Sequence, residues 1–227
     1  MEFTLLGSVL VALFALYAGL WLMGRRDPTF CVRDVWDLAL AGAISGLIVG
    51  RVVAMVKGGV NPITHPGDFI LVRAGVDTVG ASVGALAAVA FLQRDRLPGL
   101  LDQLAPAALF GLGGWHAGCL VRSTCLGAPS DLPWTWSVEG SSITRHPVEI
   151  YAALAFGLAG WFVFRWRNKP WLAVSLGLSL AGLIRLAVFP IQPSLSSAVV
   201  WWYLSAAVVG LIAASYTARP LSEWRNW

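Results

Sequence analysis

Residues 4–23 read TLLGSVLVALFALYAGLWLM, twenty consecutive residues without a charge, and Gly24, Arg25 and Arg26 follow them. A helix needs about 20 mostly apolar residues to cross the hydrocarbon core of a bilayer. This stretch is longer than the core of a secretory signal, and its basic residues follow it instead of preceding it. The stretch therefore predicts a retained membrane-spanning helix at the start of the chain.

Six more segments of this kind follow along the chain. The predicted spans are 4–23, 36–56, 74–92, 101–121, 147–164, 171–190 and 196–216. Only 12% of the 227 residues are charged, whereas soluble domains have about 25%, and 12 Trp and 10 Phe exclude a disordered chain. The predicted fold class is all-α, a seven-transmembrane helix bundle, and 1–227 is expected to form a single polytopic membrane domain.

The basic residues are distributed unequally between the two sides of these spans. Ten lie on one side, namely Arg25, Arg26, Arg33, Arg94, Arg96, Arg165, Arg167, Lys169, Arg219 and Arg225. Four lie on the other side, namely Lys57, Arg73, Arg122 and Arg145. The positive-inside rule then places the N-terminus outside and the C-terminus in the cytoplasm. This topology explains the net charge of +4 without a nucleic-acid partner.

Six polar residues lie toward the outer ends of the predicted spans, where a charge costs from about 2.5 to more than 10 kcal/mol. They are Arg51, Asp77, His116, Glu149, Tyr151 and Arg185. Because five helices bring them to a common depth, we expect a site enclosed by the bundle. Guanidinium groups bind phosphate with two hydrogen bonds, so the expected ligand is an anionic lipid headgroup.

Each of these residues also has an ordinary structural explanation. Arg51 and Asp77 can form an ion pair, and Arg185 can extend its side chain outward to the interface. A buried His116 can simply bond a carbonyl, and Tyr151 can belong to the interfacial aromatic belt.

Other residues indicate how the helices are held together. Gly42, Gly46 and Gly50 repeat at every fourth position, which favours close helix packing and also fits a narrow acyl groove. Asp37 and Asp102 are predicted to cap the helices in which they lie. Cys119 and Cys125 face the oxidising side and are either disulfide-bonded or two free thiols, whereas Cys31 faces the cytoplasm and is expected to be inert.

The segment from Asp102 to Tyr151 contains DQLAPAALFGLGGWHAGCLVRSTCLGAPSDLPW and, after a short gap, RHPVEIY. This pattern resembles the prolipoprotein diacylglyceryl transferase family, in which an "AP…G…GR.G" helix leads to a glycine-containing turn, a "DLPW"-like stretch and an "RHP..Y" helix start. Gly50 and Arg51 resemble the family's Gly-Arg pair. Without the rest of the pattern, Pro147 would simply suit a first helical position, with Arg145 and His146 as interfacial anchors.

The resemblance implies transfer of the diacylglyceryl group of phosphatidylglycerol to the lipobox cysteine of a prolipoprotein, with release of glycerol phosphate. By this resemblance Arg51, Arg145 and Arg185 hold the phosphate, Tyr151 orients the headgroup, and His116 or His146 is the base. Asp77, Gly127 and Glu149 are assigned to substrate binding. The expected partners are phosphatidylglycerol and a prolipoprotein signal peptide, the expected location is the bacterial inner membrane, and no metal ion or cofactor is expected.

The chain departs from the family pattern at several polar positions. Val79 replaces a histidine, His116 an arginine, Cys119 an asparagine, Thr124 a glutamate and Phe189 a second glutamate. The outer loop also lacks a sizeable insertion that is typical of the family. These departures favour, as the alternative, a non-catalytic paralogue that acts as a lipid-binding or accessory subunit. A transporter is less favoured, because the chain has no matching halves with broken helices.

Overall fold

The structure, a computed structural model, describes residues 4–65, 67, 75–92, 97–122, 125–137, 140–192 and 197–218. Within these ranges the long helices are α1 (Thr4–Arg26), α2 (Val32–Lys57), α3 (Thr78–Leu92), α4 (Leu97–Ala117), α6 (Val148–Phe164), α7 (Leu172–Val188) and α8 (Ser197–Thr217). The short elements are the single turn α5 (Cys119–Arg122), a 3-10 turn (Phe189–Ile191) and two antiparallel strands, β1 (Trp136–Ser137) and β2 (Thr144–Arg145). The fold is therefore all-helical apart from one small hairpin.

One long helix lies in each of the seven predicted spans, and four of the described helical segments are long and apolar enough to cross a membrane. These four are Gly7–Arg26, Val32–Lys57, Leu172–Ile191 and Val199–Thr217. Two further helices, Thr78–Leu92 and Val148–Phe164, are apolar but shorter. Four membrane-crossing helices are thus supported by length and composition. Five of the basic residues that indicate the topology and one position that departs from the family pattern lie outside the described residues; they are Arg73, Arg94, Arg96, Arg219, Arg225 and Thr124.

Polar contacts between helices show which helix ends lie together. The Ser8 hydroxyl at the start of α1 donates to the Gly118 carbonyl just after α4, at 3.2 Å. At the other end of α4, the Gln103 amide oxygen accepts the N–H of Cys31, which precedes α2. The start of α2 therefore lies beside the start of α4, and the last turns of both helices lie together at the other end of the bundle. We call this the site end, because it holds the predicted site residues, and we call the other the opposite end.

The glycines of α2 support close helix packing, one of the two explanations that the sequence allowed. A Cβ added at Gly46 would lie 2.8 Å from the carbonyl oxygen of Ala81 in α3, closer than a methyl group can approach. A Cβ at Gly50 would come within 3.0 Å of the Asp77 carbonyl oxygen. The two helix backbones are in direct van der Waals contact here, which leaves no room for an acyl chain between them.

An ion pair between residues far apart in the sequence joins two segments at the opposite end of the bundle. The guanidinium of Arg167, after α6, donates from Nη2 and from Nε, at 3.1 Å, to the Asp27 carboxylate between α1 and α2. This hydrogen bonding lowers the pKa of Asp27 from 3.8 to about 2, so the carboxylate is ionised at every physiological pH. The Arg167 guanidinium carbon lies 4.0 Å from the centre of the Phe164 ring, which packs edge-to-face with Phe30.

Asp102 caps a helix, but not the helix in which it lies. Because α4 begins at Leu97, Asp102 is in its second turn, and its carboxylate accepts the N–H groups of Trp171 (2.6 Å) and Val174 (2.9 Å) at the start of α7. Trp171 has a left-handed backbone with φ of 64°, which is costly for a residue with a Cβ, and the hydrogen bond from its N–H offsets part of that cost. The predicted cap role of Asp37 is wrong, because α2 already begins at Val32.

Replacing Asp102 with alanine should destabilise the protein strongly. Asp102 is 0% exposed, and its loss leaves two part-buried backbone donors, the N–H groups of Trp171 and Val174, without this acceptor. We expect a loss of about 2–4 kcal/mol, visible as a lower thermal unfolding temperature of the purified protein. Asp102→Asn, which keeps one acceptor, should lose less. Asp37→Ala is the matched control, because Asp37 is exposed; equal effects of Asp37→Ala and Asp102→Ala would contradict the cap.

Candidate functional site

An imidazole and a carboxylate form the centre of the candidate site. His116 lies in the last turn of α4 and Glu149 in the first turn of α6, and His116 Nδ1 is hydrogen-bonded to Glu149 Oε2. Because a carboxylate only accepts hydrogen bonds, Nδ1 carries the proton. The imidazole also stacks on the ring of Phe156, with an interplanar angle of 2° and centroids 5.2 Å apart. The carboxylate and the stacked ring together fix the orientation of the imidazole.

A second part of the site links this pair to a buried arginine. Gln192 follows the 3-10 turn after α7, and its side-chain N–H donates to Glu149 Oε1 at 2.7 Å. The amide oxygen of Gln192 accepts from Arg185 Nη2 at 3.0 Å. Arg185 Nη1 lies 4.0 Å from Glu149 Oε2, beyond hydrogen-bond distance. Arg185, Gln192, Glu149 and His116 therefore form one continuous polar cluster.

Arg185 is buried, although two of its donor atoms make no hydrogen bond to the part of the chain that the structure describes. The residue is 6% exposed, and among the described residues Nε and Nη1 have no hydrogen-bond acceptor. The guanidinium also lies 5.5 Å from the centre of the Tyr203 ring of α8. The alternative in which Arg185 extends outward to the interface is wrong. A buried guanidinium with unpaired donors is suited to bind an anion that is not part of the chain.

The RHP segment forms a separate group of contacts at the same end. The Trp134 indole N–H donates to the Tyr151 hydroxyl at 2.8 Å, and His146 Nδ1 lies 3.4 Å from that hydroxyl. Arg145 Nη1 donates to the Gly127 carbonyl at 3.1 Å. Pro147 precedes α6 as its N-cap instead of occupying the first helical position. These contacts hold the loop between α5 and α6 against the start of α6.

Gly127 lies where three segments meet, which explains why a larger residue does not fit. Its N–H donates to the His146 carbonyl at 2.8 Å, and the next N–H, that of Ala128, donates to the Ile191 carbonyl at 2.8 Å. A Cβ at Gly127 would collide with the Ile191 carbonyl oxygen and with a methyl group of Val148. The glycine thus connects the loop after α5 to both α6 and the segment that carries Gln192.

The predicted ion pair of Arg51 with Asp77 is replaced by other contacts. Asp77 Oδ2 accepts from Lys57 Nζ at 2.6 Å, and Asp77 Oδ1 accepts the N–H of Gly80 at 2.8 Å, which caps α3. Arg51 is 2% exposed and donates from Nη1 to the carbonyl of Gly75. These residues join the end of α2 to the start of α3. The described contacts give them a structural role at the site end.

A disulfide bond joins Cys119 and Cys125, deciding between the two alternatives that the sequence left open. Cys119 begins α5, three residues after His116, and the Cys125 carbonyl accepts the N–H of Glu149 at 3.4 Å. Both cysteines are buried, with 0% and 5% exposure, whereas Cys31 is a free, exposed thiol. The bond ties the segment after His116 to the segment that holds Glu149.

Removing this disulfide should destabilise the site end. For two half-cystines six residues apart, the loop-closure estimate is on the order of 2 kcal/mol. We expect the Cys119→Ser, Cys125→Ser double variant to unfold at a lower temperature than the wild type, and a reductant to lower the unfolding temperature of the wild type but not of the double variant. Cys31→Ser is the matched control. A reductant that leaves the wild-type unfolding temperature unchanged would contradict a stabilising bond.

Two residues that contact Arg185 were not predicted from the sequence. Gln192 is uncharged and lies just beyond the sixth predicted span, and Tyr203 resembles an ordinary interfacial aromatic. Of the positions that depart from the family pattern, Val79 lies in the first turn of α3 and Phe189 begins the 3-10 turn. Gln192 could have been identified only by its position, about two helical turns after Arg185 in the sequence.

The fold and the cluster define a multi-pass helical membrane protein with a polar cluster of arginine, glutamine, glutamate and histidine side chains at one end. The family model for prolipoprotein diacylglyceryl transferase matches residues 6–216, and the chain therefore belongs to this family. Relatives named phosphatidylglycerol–prolipoprotein diacylglyceryl transferase include those of Vibrio atlanticus (28% identical over 176 residues, 72% of this chain) and Chloroherpeton thalassium (31% over 186 residues, 75%). A third, from Methylobacillus flagellatus, is 28% identical over 145 residues, 61% of this chain. The matched regions cover 64%, 67% and 56% of these relatives, respectively.

Proposed function

We propose that this protein transfers the diacylglyceryl group of phosphatidylglycerol to the thiol of a lipobox cysteine in a prolipoprotein. In this reaction the thiolate attacks the glyceryl carbon that carries the phosphate. A carbon–sulfur bond forms, the carbon–oxygen bond to the phosphate breaks, and glycerol phosphate leaves. The reaction requires a cation beside the leaving phosphate and a base for the thiol proton. Family membership supports the reaction, and the polar cluster at the site end supplies both groups.

The observation that carries the proposal is the buried guanidinium of Arg185. Two of its donors, Nε and Nη1, have no acceptor among the described residues. A phosphate oxygen at that position would accept a hydrogen bond and neutralise a charge that is costly to bury. Negative charge increases on the phosphate as the carbon–oxygen bond breaks, so a fixed cation stabilises the transition state more than the bound lipid. Arg145 and Arg51 are proposed to assist in attracting the anionic headgroup.

We assign to His116 the role of the base that removes the thiol proton. With the proton on Nδ1 held by Glu149, the neutral imidazole has its basic lone pair on Nε2. The Glu149 carboxylate fixes the ring and stabilises the imidazolium that forms when the proton is taken. His146 is the less suitable base, because its Nδ1 faces the Tyr151 hydroxyl instead of a carboxylate. We assign to Tyr151 the orientation of the headgroup near the start of α6.

We further propose that all seven long helices cross the bacterial inner membrane, with the site end facing outward. The described basic residues of the opposite end support this orientation; they are Arg25, Arg26, Arg33, Arg165, Arg167 and Lys169. The outward site end would meet both the outer-leaflet phospholipid and the cysteine of an exported prolipoprotein signal peptide. An oxidising exterior also agrees with the disulfide between Cys119 and Cys125.

The test is transfer by the purified protein in phospholipid vesicles that contain phosphatidylglycerol. A labelled peptide with a lipobox cysteine should gain the mass of one diacylglyceryl group for each glycerol phosphate released. A peptide with serine in place of that cysteine should gain nothing, and neither should the cysteine peptide in vesicles of phosphatidylcholine alone. If phosphatidylglycerol binds but neither product forms, the chain is the lipid-binding, non-catalytic relative and the proposed activity is wrong.

A further inference from the structure

Gln192 occupies the space between the two opposite charges of the cluster. It follows the 3-10 turn Phe189–Ile191, and its side chain is partly buried. Its amide oxygen accepts from Arg185 Nη2 at 3.0 Å, and its amide N–H donates to Glu149 Oε1 at 2.7 Å. Only one orientation of the amide satisfies both groups, because arginine only donates and a carboxylate only accepts.

The spacing of the two charges is unusual for such close neighbours. Carboxylate and guanidinium groups within reach of each other commonly form two parallel hydrogen bonds of about 2.7–2.9 Å. Here Arg185 Nη1 and Glu149 Oε2 remain 4.0 Å apart, and each Glu149 oxygen already has another donor, Gln192 for Oε1 and His116 for Oε2. The amide therefore takes the place of one of the hydrogen bonds that the two charges would otherwise share.

We propose that Gln192 is a positioning residue that prevents Arg185 and Glu149 from forming direct hydrogen bonds with each other. This role rests on the proposed function, in which the two charges have different tasks. Arg185 keeps Nε and Nη1 for the phosphate ester of an anionic ligand, and Glu149 keeps Oε2 for His116. Without the amide, the guanidinium of Arg185 would form hydrogen bonds with the Glu149 carboxylate. Arg185 would then no longer be available to the phosphate of the ligand, and His116 would lose the carboxylate that orients its imidazole.

Binding of phosphatidylglycerol tests this role without any acceptor peptide. The purified protein is placed in phosphatidylcholine nanodiscs that contain increasing fractions of phosphatidylglycerol, and bound lipid is counted by native mass spectrometry. Gln192→Leu should weaken phosphatidylglycerol binding about tenfold, which corresponds to 1.4 kcal/mol. Soluble glycerol phosphate is the second probe: competition with the lipid indicates a site for the phosphate group alone, and no competition indicates recognition of the whole lipid headgroup.

A double variant separates positioning from simple structural support. If Arg185 is captured by Glu149 in Gln192→Leu, removing the carboxylate should release it again. Gln192→Leu combined with Glu149→Gln should therefore bind phosphatidylglycerol within about threefold of wild type, although a second packing defect would only weaken binding further. A double variant that binds as weakly as Gln192→Leu, or a Gln192→Leu protein that binds like wild type, would overturn the proposal.

Gln192→Glu provides a test if the leucine variant does not fold. It has nearly the same shape as the wild-type side chain but places a second carboxylate beside Arg185. We expect binding of phosphatidylglycerol to weaken at least as much as in Gln192→Leu, and wild-type binding would again overturn the proposal. Because every readout is lipid binding, these results stand whether or not the wild type transfers diacylglyceryl groups. An inactive wild type would overturn only the proposed function.

Discussion

Arg185→Ala is expected to lower kcat/KM for diacylglyceryl transfer by a factor of about 100 to 1,000. This is the usual cost of removing one preorganised donor from a site where negative charge develops. Arg185 is buried and has donors without an acceptor among the described residues, so its charge acts in a medium that screens it weakly. Transfer from phosphatidylglycerol to a lipobox peptide is the measurement. Arg185→Lys should recover little of the loss, because an ammonium group lacks the planar fork that binds two phosphate oxygens.

Arg165→Ala is the matched control for Arg185→Ala, since Arg165 is an exposed arginine at the end of α6, at the opposite end of the bundle. We expect it to keep the wild-type rate within about twofold, as surface substitutions away from a site usually do. Thermal unfolding of both variants shows whether a lost rate reflects a lost fold. A well-folded Arg185→Ala protein with a rate within threefold of wild type would exclude Arg185 from the phosphate site.

His116→Ala should lower kcat by about 10²–10⁴, the range for loss of a general base. Glu149→Gln should lower it less, because an amide still accepts the Nδ1 hydrogen but no longer stabilises an imidazolium. His146→Ala should lower kcat by about tenfold or less, since His146 contacts the Tyr151 hydroxyl and not a carboxylate.

The pH dependence of these variants distinguishes a base from a structural histidine. A cysteine thiol in solution ionises near pH 8.5, so at higher pH the acceptor supplies its own thiolate. The rate of His116→Ala relative to wild type should rise with pH, by about tenfold for each pH unit over the range in which the wild-type rate no longer increases and the thiol is still mostly protonated. His146→Ala should keep a constant ratio to wild type over this range. The reverse pattern would assign the base to His146 instead.

The helices could be predicted from the sequence because each depends on local composition. Long apolar runs bounded by basic residues define α1 and α2 without knowledge of any contact. One prediction was wrong because the side chain contacts a helix that is distant in the sequence. Asp102 is predicted to cap its own helix but caps α7 instead, because the sequence does not show that the N-terminus of α7 lies beside it. Asp37 was read as a cap because the apolar run begins after the true start of α2.

The charged residues of the candidate site could be predicted from the sequence, but their hydrogen-bond and ion-pair partners could not. The cost of placing charge within a membrane identified His116, Glu149 and Arg185 without a structure. The same reasoning paired Arg51 with Asp77, because it cannot show that Lys57 reaches Asp77 first. Gln192 could not be identified in this way, because its side chain is uncharged and lies just beyond a predicted span, where the free-energy cost of burying a charge does not apply.

Under the proposed activity, the disulfide also protects the enzyme from its own reaction. An enzyme that attaches a lipid to cysteine must not attach one to itself, and Cys119 lies only three residues from the proposed base. Sulfur bound to sulfur has no proton to lose and forms no thiolate nucleophile, so Cys119 and Cys125 cannot compete with the incoming peptide. The remaining thiol, Cys31, precedes α2 at the opposite end of the bundle, far along the helices from the phosphate site. The acceptor cysteine is thus the only thiol that the base encounters.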